Sequence, residues 1–288
     1  MKPKSFAIWA NPEKKEVPGL VHEVMLWAEN NDMTLFLPDS LRQLESASNY
    51  SNFYDPMNPP DVDFLLCLGG DGTLISGVRI FSEPTIPVLG VHIGGLGFLA
   101  QIIPKELVEK LNMIKGGKFV AQERLVLNAS ISKNKNSFFA INDFVVQNET
   151  SYRVTSLSLY IDGKHVSDYK SDGVIISTPT GSTAYSLSSG GPIVQPDVFS
   201  IIVTPIAPHS LTSRPLVLPS DVTIEFRFNG DSEKELKLIS DGQNIENFTN
   251  DSTIQISQAK HHLKFITFPD YDYYNTLKKK MVWGKRGS

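Results

Sequence analysis

The spacing of hydrophobic positions divides the chain into two parts. Up to about residue 120, short apolar runs alternate with helix-like patterns, which is typical of an α/β layer fold. The predicted strands of this part are residues 6–10, 34–37, 63–68 and 86–93. The predicted helices are residues 19–30, a helix from Thr73 and a helix from Pro104. Residues 45–62, rich in Ser, Asn and Pro, predict a surface loop.

From about residue 126 the hydrophobic period changes to two. Residues 127–131 and 157–161 alternate, and Asp162-Gly163 predicts a hairpin turn. Further strands are predicted at residues 172–178, 199–206, 222–228, 252–257 and 264–268. One helix is predicted near residues 183–189. The second part is therefore expected to be a β-rich domain, a sandwich.

Composition narrows the functional classes. The 288 residues suffice for two domains, and a net charge of -4 argues against broad nucleic-acid binding. Cys67 is the single cysteine, which excludes a disulfide framework or a cysteine-rich zinc site and predicts a buried thiol. No window is long and apolar enough for a membrane helix, and no signal peptide begins the chain, so a cytoplasmic protein is expected. Residues 278–280, three lysines, predict a solvated charge run.

The strongest chemical signal is the run Gly69-Gly70-Asp71-Gly72-Thr73, which follows a predicted apolar strand. Two glycines let the backbone turn sharply, and the amino end of a following helix favours an anion such as phosphate. A carboxylate there would repel a phosphate unless it takes up a proton or helps to orient a metal. Asp71 is therefore a candidate general base for a hydroxyl nucleophile, or a metal-linked carboxylate. The alternative is a plain turn in which Asp71 caps the helix.

A second glycine cluster, residues 90–99, also follows a predicted strand. Residues 95–100 imitate the dinucleotide fingerprint, but no acidic residue is evident at the expected offset of about 20, so we discount this match. A tight turn that places Phe98 near a ring or a ribose is at least as plausible. His92 alone indicates a packed histidine rather than a catalyst.

Three later blocks are rich in hydrogen-bonding side chains. Asn142 and Asp143 could grip ribose hydroxyls or an adenine edge, although such pairs are also common in turns. The hydroxyl-rich block, residues 178–185, follows a β-branched strand and offers donors at a helix start, which suits a pyrophosphate or a nucleotide. Ser182 lacks His and Asp partners at nucleophile-elbow spacing, so no hydrolase triad is predicted, and a merely structural turn stays open. Residues 240–243 predict a hairpin turn.

Together these blocks resemble the NAD kinase family. The residues that carry the resemblance are Gly69-Gly70-Asp71-Gly72-Thr73, Leu96-Gly97-Phe98-Leu99, Asn142-Asp143, Asp172-Gly173, Thr178-Pro179-Thr180-Gly181-Ser182-Thr183-Ala184-Tyr185 and Asp241-Gly242-Gln243. The glycine-aspartate run alone is shared with diacylglycerol and sphingosine kinases. The hydroxyl-rich block singles out NAD kinases.

The resemblance implies an α/β, Rossmann-like amino-terminal domain over residues 1–120 and an all-β sandwich that binds NAD over residues 121–266. The tail, residues 267–288, would pack back on the first domain. The implied reaction transfers the γ-phosphate of ATP to the 2′-hydroxyl of the adenosine ribose of NAD and gives NADP. A divalent metal, Mg²⁺, would assist, polyphosphate is a further candidate donor, and the protein would be a homotetramer or homodimer without nucleic-acid or membrane partners.

By the same resemblance Asp71 is the catalytic residue. The implied NAD-binding residues are Gly72, Phe98, Asn142, Asp143, Asp172, Thr183, Ala184, Tyr185, Ser188 and Gln243. The implied phosphate or ATP contacts are Gly69, Gly70, Thr73 and Thr180. No residue is assigned as a metal ligand.

Two departures from the family pattern keep alternatives open. The family usually has Asn-Glu where Asn142-Asp143 stand, and an Arg or another polar residue where Gly95 stands. These changes motivate a non-catalytic NAD(P)-binding sensor as one alternative. A diacylglycerol- or sphingosine-type lipid kinase is the other, and it would share the glycine-aspartate run without needing the hydroxyl-rich block.

Overall fold

The structure, a computed structural model, describes residues 2–81, 86–95, 97–134, 136–148, 154–229, 235–249 and 251–283. Leu96, which belongs to one of the motifs above, lies outside the described residues. The chain forms two compact units. The first is Met1–Glu123 together with Leu263–Ser288, and the second is Arg124–His262.

The described residues form nineteen strands and five α-helices. The first elements are β1 (Ser5–Ala10), α1 (Val17–Asn30), β2 (Thr34–Pro38), β3 (Phe53–Tyr54), β4 (Phe64–Gly69), α2 (Asp71–Ile80), β5 (Pro87–His92), α3 (Leu107–Lys115) and β6 (Val120–Arg124). The next are β7 (Leu127–Ile131), β8 (Ser137–Ala140), β9 (Asp143–Asn148), β10 (Thr155–Ile161), β11 (Lys164–Ser171), β12 (Gly173–Ser177), α4 (Tyr185–Ser188) and β13 (Ser200–Ile206). The last are β14 (Leu216–Pro219), β15 (Ile224–Phe228), β16 (Glu235–Ser240), β17 (Asn244–Thr249), β18 (Thr253–Gln258), β19 (Leu263–Thr267) and α5 (Tyr273–Met281). In the part of the chain that the structure describes, no helix combines the length and apolar character needed to span a membrane.

The first unit is built around a seven-stranded sheet in the order β3-β2-β1-β4-β5-β19-β6. β1 pairs in parallel with β2 and with β4, and β5 pairs in parallel with β4 and β19. Strands of such a sheet are covered on both faces, which explains why β4 is a continuous apolar run with every residue buried. The strand order reverses between β1 and β4. The crevice at the carboxyl ends of strands beside such a reversal is the usual ligand site of an open α/β sheet, and residues 69–73 begin there.

Helix α1 follows directly from the hydrophobic spacing. Leu20, Val24 and Trp27 lie on one buried stripe, as predicted, and the indole Nε1 of Trp27 donates to Asn112 Oδ1 at 2.9 Å. Pro18 stands in the first turn, where its missing N–H costs no helical hydrogen bond. The helix begins at Val17, two residues before the predicted start.

The second unit contains two six-stranded sheets whose recorded pairings are all antiparallel. Their orders are β11-β10-β15-β18-β7-β8 and β14-β13-β12-β9-β16-β17. One buried cluster draws side chains from both sheets, for example Leu159 and Phe226 from one and Phe144 and Val203 from the other. The β-rich second domain is therefore confirmed, and the core lies between its two sheets. Asp162-Gly163 joins β10 to β11 as predicted.

One predicted strand belongs to the other unit. Residues 264–268 were expected in the β-sandwich, but β19 pairs in parallel with β5, with Lys264 opposite Pro87 and Phe265 opposite Val88. Alternating apolar residues indicate a strand without indicating its partner, which long-range packing selects. The tail that follows also lies in the first unit, where Lys110 Nζ is 2.7 Å from Asp270 Oδ2.

Two local predictions need correction. Residues 45–62 are not only loop: Glu45–Ala47 form a 3-10 helix, and β3 pairs with β2. Tyr54 makes that strand necessary, because its ring is buried and its hydroxyl donates to the Ile8 carbonyl at 2.8 Å. Helix α2 begins at Asp71 rather than at Thr73. Asp71 is therefore the first residue of the helix and not part of the preceding loop.

Candidate active site

The junction of β4 and α2 exposes backbone at the amino end of a helix. β4 ends at Gly69, and Gly70 in extended conformation leads into α2. Only glycine fits at position 69, because a Cβ there would lie 2.3 Å from Thr73 Oγ1. At Gly70 and Gly72 a Cβ would meet nothing within 4 Å. The junction therefore leaves open space beside a helix start, where the helix dipole favours an anion.

The Asp71 carboxylate is held by a loop that is distant in sequence. Oδ2 accepts the amide of Phe98 at 2.8 Å, and Oδ1 accepts the amides of Leu99 and Ala100 at 3.0 and 3.2 Å. Gly97 permits this approach, because a Cβ there would lie 2.2 Å from Asp71 Oδ1. The N-cap residue of α2 is Gly70, and the Asp71 carboxylate binds the amides of residues 98–100, so the alternative in which Asp71 merely caps the helix gains no support.

One acceptor position of the Asp71 carboxylate is not filled by any described residue. A carboxylate has about four lone-pair sites, two on each oxygen. Oδ1 accepts two amides and Oδ2 accepts one. The remaining site is on Oδ2, and the half-buried side chain still reaches solvent. Oδ2 is therefore an oriented atom that can receive a proton or join a metal's coordination shell.

Three basic side chains, His92, Lys14 and Lys280, lie near the residues that hold this carboxylate. Burial lowers the pKa of His92, with the charge of Asp71 opposing and the charges of Lys280 and Lys14 acting in the same direction as burial. His92 is buried, as predicted for a packed histidine, and is neutral near pH 7. The Lys280 ammonium lies 4.5 Å from the ring centroid of Phe98. The prediction that residues 278–280 are all a solvated charge run is therefore wrong for Lys280, since only tertiary packing returns the tail to this loop.

The second unit carries a cavity of about 470 Å³. It brings together four residues expected to bind NAD, namely Asn142, Asp143, Ala184 and Tyr185. The other lining residues are Val145, Gln147, Ile239, Asp241, Gly242 and Ile245. The cavity combines a carboxylate, an amide and a half-exposed aromatic ring with an apolar wall, which suits a nucleoside.

Asp241 organises one side of this cavity. Its Oδ1 accepts the amides of Asn142 and Asp143 at 2.7 and 3.1 Å, and its Oδ2 accepts the amide of Ile141 at 3.0 Å. Asp241 adopts the left-handed backbone region at φ 49°, in the hairpin turn between β16 and β17 that the sequence predicts. The Asp-Gly turn signal was visible in the sequence, but the amides that the carboxylate would bind were not.

Asp143 is a buried acid in this cavity. Its side chain is 4% exposed, and burial raises its pKa to about 7, with the neighbouring charge of Asp241 acting in the same direction. The Tyr185 amide donates to the Asp143 carboxyl and partly offsets this rise in pKa. Asp143 therefore changes charge near neutral pH, whereas an ordinary aspartate is ionised well below it.

Several hydroxyl groups of the hydroxyl-rich block, residues 178–185, bind the protein backbone. Thr178 Oγ1 donates to the Ile141 carbonyl at 2.6 Å and accepts the Gly181 amide, while Ser182 Oγ donates to the Pro179 carbonyl at 2.6 Å. A Cβ on Gly181 would lie 2.1 Å from the Asn142 carbonyl oxygen. The expectation that this turn presents many donors to a ligand is thus wrong for Thr178 and Ser182, because the Thr178 hydroxyl binds the backbone next to Asn142 and the Ser182 hydroxyl binds the backbone of Pro179 and Val194.

The remaining predicted contacts lie outside the lining of this cavity. Asp172 and Ser188 are exposed, and Thr183 is half-buried. Thr180 is 5% exposed, and its hydroxyl has no hydrogen-bond partner among the described residues. Gln243 follows Gly242 in the hairpin turn and lines a separate cavity with Phe138 and Glu246. Their roles toward a nucleotide stay predictions.

Comparison with known proteins identifies the family. The family model of the ATP-NAD kinase N-terminal domain matches residues 6–119, and that of the ATP-NAD kinase C-terminal domain matches residues 141–268. An NAD kinase of Citrifermentans bemidjiense is 32% identical over 98% of this chain and 100% of its own length. An NAD kinase of Gemmatimonas aurantiaca is 40% identical over 77% of this chain and 78% of its own length.

The chain belongs to the NAD kinase family. It is thus a phosphotransferase, and neither the lipid-kinase nor the sensor alternative gains support from these relatives. Among solved structures, yeast NADH kinase complexed with NADH aligns with a TM-score of 0.88 and 26% identity, covering 100% of this chain and 90% of that one. The NAD kinase fold thus consists here of an α/β amino-terminal domain and an antiparallel β carboxy-terminal domain.

Proposed function

We propose that this protein transfers the γ-phosphate of ATP to the 2′-hydroxyl of the adenosine ribose of NAD, giving NADP and ADP. The observation that carries the proposal is the Asp71 carboxylate, held by three backbone amides at a helix amino terminus with one acceptor position left on Oδ2. The parallel strand order beside it supports the Rossmann-like character expected of this domain.

In the proposed reaction Asp71 accepts the proton of the ribose hydroxyl. The hydroxyl oxygen forms a bond to the γ-phosphorus as the bond from that phosphorus to the β,γ-bridging oxygen breaks, and ADP leaves with the bonding electrons. A base in this role contributes about 10²–10⁴-fold to the rate. Positioning and charge neutralisation supply most of the remaining acceleration in phosphoryl transfer. The fixed orientation of the carboxylate supports both roles.

The cavity of the second unit is the proposed site of the adenosine half of NAD. Asn142 offers donors and acceptors, Asp143 offers an acceptor for a ribose hydroxyl, and the half-exposed ring of Tyr185 offers a stacking face. The shorter side chain of Asp143, compared with the usual glutamate, keeps the carboxyl group that this role needs. The yeast relative was solved with NADH, which supports a nicotinamide dinucleotide as the acceptor.

Magnesium is the proposed divalent metal. The described residues contain no group of three or more His, Cys, Asp or Glu side chains that could hold a metal ion. Mg²⁺ usually keeps several waters and binds one or two carboxylates together with substrate phosphates. Asp71 Oδ2 is the protein atom that fits this mode, and the metal would supply charge neutralisation at the phosphates. A cytoplasmic location and a homodimer or homotetramer stay predictions from the sequence.

An NADP-formation assay tests the proposed function. Purified protein is incubated with Mg²⁺ in four combinations, NAD or NADH with ATP or polyphosphate, and the phosphorylated dinucleotide is quantified by chromatography. We expect NADP from NAD and ATP, with formation lost when the metal is chelated. Binding of NAD without any phosphorylated product would instead identify a non-catalytic sensor. Phosphorylation of diacylglycerol in place of NAD would identify a lipid kinase.

A further inference from the structure

Two half-buried lysines stand beside the candidate base, one from each end of the chain. Lys14 lies in the loop after β1, on the other side of the strand reversal from Asp71. Lys280 lies in the last turn of α5, and its ammonium is 4.5 Å from the ring centroid of Phe98, whose amide binds Asp71. The charges of both lysines act on His92, as does the charge of Asp71.

The Lys14 ammonium also lies close to the second glycine cluster. It is 3.6 Å from the point where a Cβ on Gly94 would stand, and Gly94 itself has φ 100°. Lys14 therefore lies near Gly94, and Lys280 lies near Phe98. The loop after β1, the residues after β5 and the start of α2 all follow the carboxyl ends of neighbouring parallel strands.

Neither lysine has an acidic partner within 4.0 Å among the described residues. The buried Lys110, by contrast, pairs with Asp270 at 2.7 Å. Withdrawing an ammonium from water without a counter-charge is costly, and an anionic ligand would compensate for that cost. The charges of Lys14, Lys280 and Asp71 all act on His92, so two positive charges and one negative charge lie near this buried histidine.

We propose that Lys14 and Lys280 bind the polyphosphate chain of the phosphoryl donor beside Asp71, an inference that rests on the proposed kinase function. A nucleoside triphosphate carries several negative charges, and phosphoryl transfer depends on neutralising them. The helix start favours an anion through its dipole, and the open space at Gly70 gives room for a phosphate. The two lysines supply positive charge from opposite ends of the chain.

The test compares each lysine with its exposed neighbour. Lys14→Gln and Lys280→Gln are matched with Lys15→Gln and Lys278→Gln, whose side chains are exposed. With ATP varied at saturating NAD, we expect the KM for ATP to rise about tenfold in each of the first two variants and by less than about twofold in the controls. The KM for NAD and the melting temperature should stay near wild type, and Lys280→Arg, which keeps the charge, should restore most of the affinity for ATP.

Calorimetric titration with inorganic tripolyphosphate, without NAD, gives a readout that does not depend on turnover. Binding should weaken in Lys14→Gln and Lys280→Gln and stay unchanged in the two controls. If the wild type makes NADP and both lysine variants have the same KM for ATP as the two controls, the lysine assignment is overturned and the proposed function stands. A rise in the KM for NAD alone would also overturn it. If wild type makes no NADP, the proposed function fails, and the tripolyphosphate titration decides the lysine pair by itself.

Discussion

Each unit contains an aspartate that accepts three consecutive backbone amides, yet the two carboxylates do different work. Asp71 binds the amides of residues 98–100, and Asp241 binds those of residues 141–143. Asp71 begins the helix after β4, Asp241 lies in the turn after β16, and each carboxylate binds backbone that is far away in sequence. The common motif is structural, so the motif alone does not reveal a catalytic group.

The surroundings of the two carboxylates separate their roles. Asp71 lies at a helix start beside Lys14 and Lys280, with open space at the neighbouring glycines. Asp241 stands at a hairpin turn, and its negative charge helps to keep the buried Asp143 protonated up to about pH 7. In the proposed function the first carboxylate reacts, whereas the second positions the backbone of residues 141–143 and raises the pKa of Asp143.

The largest expected effect is that of Asp71→Asn. An asparagine keeps the shape but is not a base, so kcat should fall by about 10²–10⁴-fold. Calorimetric titration should show that NAD still binds. Because the new amide group would also face a backbone N–H of residues 98–100, the melting temperature must be measured alongside. Near-normal turnover in a folded variant would remove Asp71 from the catalytic role.

Gly97→Ala tests whether the position of the carboxylate matters apart from its chemistry. The added Cβ would lie 2.2 Å from Asp71 Oδ1 and would displace it, so we expect kcat to fall by about 10–100-fold with little change in the KM for NAD. Gly95→Ala is the matched control, because a Cβ there meets nothing within 4 Å. Equal kinetics in the two variants would show that the amide clamp on Asp71 is dispensable.

Asp241→Asn should affect binding more than turnover. Losing one of three amide contacts loosens Asn142 and Asp143, so the KM for NAD should rise about tenfold while kcat stays within about threefold of wild type. Asp162→Asn is the control: Asp162 also precedes a glycine in a hairpin turn, at φ 48°, and its carboxylate accepts one amide among the described residues, that of Thr223 at 2.9 Å. A kcat defect without a KM effect would instead assign Asp241 a part in the chemical step.

The last prediction concerns stability rather than kinetics, and it follows from the charge of Asp143. Because its pKa is raised to about 7, the folded state binds more protons than the unfolded state between about pH 4 and pH 7. The free energy of unfolding should therefore fall as pH rises through that window. Asp143→Asn lacks this loss, so its stability relative to wild type should increase from pH 4 to pH 8 by on the order of 2 kcal/mol.

Chemical denaturation at several pH values measures this difference. Asp241→Asn removes the neighbouring negative charge, so it should flatten the same pH dependence in part while leaving Asp143 in place. Parallel pH profiles for wild type and Asp143→Asn would show that Asp143 does not titrate in this window.

Local sequence patterns predicted much of this molecule. The apolar run before Gly69 indicated a buried strand, the glycines indicated a sharp turn, and the phosphate-site character of the junction followed from the helix start. The turn at Asp241 and the change of hydrophobic period near residue 126 were also predicted from neighbouring residues alone. The choice of Asn142 and Asp143 came instead from the order of motifs along the chain, and both line the cavity.

Other features depended on partners that are distant in sequence. No pattern indicated that β19 would join the first sheet, that residues 98–100 would clamp Asp71, or that Lys280 would lie over Phe98. The hydroxyl-rich block showed the opposite error, because side chains expected to face a ligand hold the backbone instead.

The sequence by itself determined where strands, turns and the candidate base would lie, because hydrophobic period, glycine φ freedom and helix capping act within a few residues. The tertiary structure alone decided which groups surround each carboxylate, which acid is buried deeply enough to titrate near pH 7 and which lysines lack an acidic partner. Those properties depend on burial and on Coulomb interactions between residues that the fold brings together from opposite ends of the chain.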